Sequence, residues 1–153
     1  MRARLDHLLS LAFVSLSACR PAPAEKVAFE SVCDARFDPV MKQGLAEKKR
    51  IAVEGYLDFG KSFMTVCSDT CQLELFPDAA RTGAHLIVNV KVGADEARME
   101  PLPKEFTPAD LKVHSEGGKI LGAGAHVRLS GGRLGSKATQ DCQLVDIDRI
   151  DAL

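Results

Sequence analysis

The sequence predicts a mainly β fold: a small five-stranded Greek-key barrel with a short N-terminal helix. Three observations carry this. From Ile51 onward apolar residues recur at every second position, the period of a strand with one buried face. The alternating runs are short and separated by Gly, Pro, Ser and Asp clusters, so none buries a core alone, and closing the sheet hides its edges. A single long, Pro-interrupted excursion containing one capped turn separates the third run from the fourth.

Ahead of the barrel, residues 1–18 have the parts of an export signal. Arg2 and Arg4 give a positive start, residues 8–18 an apolar stretch, and small residues precede Cys19. As a helix that stretch would rise only about 16 Å, roughly half a hydrocarbon core, too little for a membrane span. The ending Leu16-Ser17-Ala18-Cys19 resembles the lipobox of bacterial lipoproteins, in which the cysteine becomes the acylated first residue of the mature chain. The resemblance implies lipidation at Cys19, with palmitate among the acyl chains, and a lipid-anchored, periplasm-facing place in the cell envelope. Each buried acyl methylene contributes about 0.8 kcal/mol, so several chains anchor permanently. Arg20 stands where an inner-membrane retention signal would have aspartate, which favours the outer membrane.

Residues 19–28 are small, polar and Pro-interrupted, and predict a flexible stalk before a barrel domain over residues 29–153. Asp38-Pro39, with Met41 and Leu45 at helical spacing and Lys48-Lys49-Arg50 at the end, predicts the short helix, weakened by Gly44. Ile51, Val53, Gly55, Leu57 and Phe59 then alternate with Ala52, Glu54, Tyr56 and Asp58 as the first strand, with Gly55 a bulge or bend. Strands follow over residues 62–67, 71–76 and 85–92, the last with Leu86, Val88, Val90 and Val92 on one face. Thr107-Pro108-Ala109-Asp110 predicts a capped helical turn. Residues 111–113 and 119–121 predict a short pair, and residues 125–129 and 142–147 the last two long strands, joined by a turn at Gly131-Gly132-Arg133.

Of the five cysteines, four remain once Cys19 carries lipid: Cys33, Cys67, Cys71 and Cys142, an even number in a compartment that permits disulfides. Ser68-Asp69-Thr70 suits a tight turn that would face Cys67 toward Cys71, leaving Cys33 and Cys142 to join the two ends of the domain. The Cys67 and Cys71 pair also has a reactive reading, as a thiol-disulfide or metal-handling site. Against it, Cys-x-x-x-Cys lies in strand-like sequence rather than opening a helix, and His85, His114 and His126 show no ligand spacing.

The strand pattern, the bend glycine and the excursion together fit the OB type of barrel. Residues 50–57, 125–131 and 142–150 resemble the first, fourth and fifth strands of that fold, and the chain looks like an uncharacterised group of bacterial OB-fold lipoproteins. Their motifs are strand patterns and carry no catalytic residues. An immunoglobulin-like sandwich fits less well, for want of evenly spaced strands and of tryptophan. The OB fold binds on its middle strands and flanking loops, which makes Tyr56, Phe59, Lys61, Phe63, Arg133 and Lys137 the candidate ligand face.

The chain carries 20 basic and 21 acidic side chains with one tyrosine. That balance argues against nucleic acid, whose single-strand binders need a basic groove with aromatic platforms. Residues 131–136 lack the Walker spacing, and Asp141, Asp146, Asp148 and Asp151 lack that of an EF-hand loop. No catalytic motif, metal site or cofactor follows from the residues. The expectation is a membrane-anchored, non-catalytic binding or scaffold module for an envelope protein, a glycan or a small ligand.

Overall fold

The computed structural model describes residues 21–38, 40–42, 45–47, 49–59, 67–135 and 142–153. Five strands form its centre: β1 (Ile51–Phe59), β2 (Thr70–Phe76), β3 (Leu86–Val92), β4 (His126–Leu134) and β5 (Gln143–Ala152). β1 pairs antiparallel with β2, and β2 with β3. β3 lies parallel to β5, β5 antiparallel to β4, and β4 returns antiparallel to β1. The circuit β1-β2-β3-β5-β4 closing on β1 is the OB arrangement, so the barrel leaves no long open edge.

The period-two pattern sets which residues fill it. Val53, Leu57, Leu75, Val88, Val90, Val113, Val127 and Ile150 have no exposed surface and form one apolar cluster. β1 pairs with β4 through Tyr56 and with β2 from Tyr56 onward, so it changes partner in mid-strand. Gly55 makes that bend fit: a Cβ there would lie 2.5 Å from the Phe76 carbonyl oxygen and 2.8 Å from Leu75 Cγ.

Two local expectations are corrected. Where the short N-terminal helix was expected, Val40–Lys42 pairs antiparallel with Leu45–Glu47, and two single 3-10 turns, Phe29–Ser31 and Ala35–Phe37, precede them. Met41 and Leu45 satisfy the helical period by their spacing alone, and Gly44, costly in a helix by about 1 kcal/mol, lies outside the described residues. Gly131-Gly132-Arg133 is not a turn either, because β4 runs on to Leu134. The register with β5 shifts between Ser130 and Gly132, opposite Asp146 at φ 50°. A Cβ on Gly131 would meet the Val145 carbonyl oxygen at 2.8 Å, so this glycine serves close approach rather than reversal.

The excursion between β3 and β4 closes one end of the barrel. Thr107 donates its backbone N–H and its hydroxyl to the Asp110 carboxylate, at 2.7 and 2.9 Å, capping the turn Pro108–Asp110. Val113–His114 pairs with Ile120–Leu121. The start of the chain covers the other end. Glu25–Lys26 runs parallel to Ile51 and Ala52, and Val32 is fully buried. The described part of the expected stalk is therefore held against the barrel, while Cys19 and Arg20 lie outside the described residues.

Candidate functional site

Alternation that points Leu73, Leu75, Val88 and Leu144 inward turns their neighbours out on β2, β3 and the start of β5. Gln72 stands opposite Asn89, and Asn89 Nδ2 donates to Gln143 Oε1 at 2.6 Å. Three amides thus cross three strands in one row. Ile87, 38% exposed, lies beside the row, paired with Glu74 on one side and Gln143 on the other. The three amides offer both donors and acceptors, next to an aliphatic contact and the Glu74 carboxylate. Its chemistry suits hydroxyl or amide groups, as on a glycan or peptide, better than a polyanion.

The residues expected to form the ligand face do not gather there. Tyr56 stacks on His126 across β1 and β4, with ring centroids 4.5 Å apart and planes 13° apart. Phe59 is buried in the core against Phe106, with ring centroids at 5.1 Å. Arg133 is a correction: its side chain is wholly buried, paired with the Asp38 carboxylate and donating to the Asp34 carbonyl at 3.4 Å. Lys61, Phe63 and Lys137 lie outside the described residues. Sequence reading passed over Gln72, Asn89 and Gln143 because outward polar residues on alternating strands look like any solvated face. Only the cross-strand register reveals the row.

Both disulfides expected from the sequence form. Cys33 joins Cys142 across 109 residues, with Cα atoms 5.8 Å apart, and Cys67 joins Cys71 with Cα atoms 4.4 Å apart. Cys71 is fully buried, whereas Cys67 lines a cleft of about 340 Å³ shared with Ser68, Val92, Leu102 and Phe106. Among the described residues no three His, Cys, Asp or Glu side chains stand close enough to hold a metal ion.

The β1–β4 side carries paired charges instead. Glu54 lies between Lys26 at 2.5 Å and Arg128 at 2.8 Å, and these two cations hold its carboxyl below the usual carboxylate range. Arg50 grips both oxygens of Asp148 at 2.6 Å, and Arg149 meets Asp151 at 2.7 Å. Each guanidinium is held above its ordinary value by its carboxylate. Against known proteins, the chain matches no family model, no curated protein and no solved structure.

Proposed function

We propose that the protein is a lipid-anchored lipoprotein of the bacterial cell envelope, facing the periplasm, whose barrel is a non-catalytic binding or scaffold module. The amide row Gln72-Asn89-Gln143 beside exposed Ile87 is the observation that carries the binding reading. Gln72 on β2 and Asn89 on β3 lie on the strands that OB barrels habitually use for ligands, and Gln143 extends the row onto β5. The Leu16-Ser17-Ala18-Cys19 sequence supports the anchor, and Arg20 supports the outer membrane. An envelope protein, a glycan or a small ligand would meet this face through hydrogen bonds.

A second reading, thiol-disulfide or metal handling, is favoured by one feature: Cys67 borders an open cleft. Capture from solubilised envelope by the immobilised protein separates the two. The amide-face variant Gln72→Ala with Asn89→Ala should lose about tenfold or more of the specifically captured material, and Cys67→Ser with Cys71→Ser should keep it. The opposite pattern would move the function to the cysteine pair.

A further inference from the structure

The segment between the lipidation site and the barrel has almost no free length. Arg149 Nη1 donates to the Pro21 carbonyl at 3.0 Å, and Arg50 Nη1 to the Ala22 carbonyl at 2.5 Å. Ala24 N–H lies 3.4 Å from Ser130 Oγ. Glu25 and Lys26 pair with Ile51 and Ala52, and Val27 N–H donates to the Ala52 carbonyl at 2.8 Å. Both arginines that hold the carbonyls are themselves fixed by carboxylates, Arg50 by Asp148 and Arg149 by Asp151. In a chain that begins at acylated Cys19, as the lipoprotein reading has it, only Cys19 and Arg20 would precede this strap. At full extension two residues reach about 7 Å.

Beside the strap lies a cleft whose described lining includes Lys26, Arg36 and Lys49 against Glu25 as the one acid. The Lys26 and Arg36 side chains are 60% and 64% exposed, and each also meets a carboxylate, Glu54 at 2.5 Å and Asp34 at 3.8 Å, in surface pairs that water screens. Lys49 Nζ donates to the Arg36 carbonyl at 2.6 Å, a neutral acceptor, and no ion pair of Lys49 occurs among the described residues. Basic side chains within a Debye length of an anionic leaflet are drawn to it.

Resting on the lipid-anchor reading above, we propose that strap residues 21–28 clamp the barrel directly onto the membrane, with Lys26, Arg36 and Lys49 against anionic phospholipid headgroups. The domain then has no arm with which to sample the periplasm. Its partner must come to within one barrel's width of the bilayer. The docked face is closed to that partner, which leaves the amide row for it.

Amine labelling of the native acylated protein tests this, in detergent and in vesicles containing about one quarter phosphatidylglycerol in phosphatidylcholine. Labelling of Lys26 and Lys49 should fall about threefold or more on the vesicles, while that of Lys91 and Lys119 stays unchanged. A Gly/Ser linker of about ten residues between Arg20 and Pro21 should return Lys26 and Lys49 toward their detergent level. Acylated protein on vesicles with unchanged labelling at Lys26 and Lys49 overturns the clamp and leaves the anchor standing. A native chain without acyl groups at Cys19 overturns the anchor itself, and the clamp with it.

Discussion

Cys33 and Cys142 stand 109 residues apart in the chain and bring their Cα atoms within 5.8 Å, fastening the N-terminal turns to the approach of β5. Val32, next to this bridge, has no exposed surface, so the bridge holds a plug in the barrel end. Crosslinking so long a loop removes entropy from the unfolded chain, about 5 kcal/mol on the chain-entropy account, against about 2 kcal/mol for the short Cys67–Cys71 loop. Urea unfolding of Cys33→Ala with Cys142→Ala should therefore show a loss larger by about 2 kcal/mol or more than Cys67→Ala with Cys71→Ala. Equal losses would contradict the plug.

Gly55 should tolerate no side chain. Gly55→Ala places a carbon against the Phe76 carbonyl, and backbone cannot swing aside as a flexible side chain can. The expected cost is about 3 kcal/mol in urea unfolding. Gly118→Ala, at φ 79° with open space around it, should cost only about 1 kcal/mol. A reversed order would remove the role given to Gly55 in bending β1.

Arg133 is buried, and among the described residues its Nε and Nη1 have no hydrogen-bond partner. Each buried N–H left unsatisfied costs about 1 to 3 kcal/mol, so the pair with Asp38 does not recover the full desolvation. Arg133→Met keeps the volume and removes both orphans. Thermal and urea unfolding should show stability unchanged or raised by about 1 kcal/mol, and a loss above about 3 kcal/mol would show that the ion pair holds the barrel end.

Glu54 makes a specific contribution to acid sensitivity. Lys26 and Arg128 depress its carboxyl in the folded state, so the stabilisation is present above the unfolded value and disappears as pH falls through the folded one. Between about pH 5 and pH 3, Glu54→Gln should lose less stability than the parent protein. Added salt should shrink that difference, because the pair is partly exposed. Parallel pH profiles would contradict the assignment.

Much of the barrel was readable from period alone. Leu86, Val88 and Val90 point inward as their alternation requires, and the pairing of Val113 with Leu121 follows from the turn at residues 115–118. Misreadings fell where one local signal serves two structures. Met41 and Leu45 at four-residue spacing suit a helix, yet short paired strands hold them, and Gly131 marks a close approach inside a strand. The site was the least legible part. Gln72 and Asn89 become neighbours only through the register of β2 on β3, and Arg133, a cation in a Gly-rich stretch, was expected in a turn but is enclosed.

Intact mass spectrometry of the native protein extracted from membranes tests the proposed anchor most directly. The predicted species begins at Cys19 and carries acyl chains on that residue. An unmodified chain, or one beginning at another residue, would contradict the lipoprotein assignment.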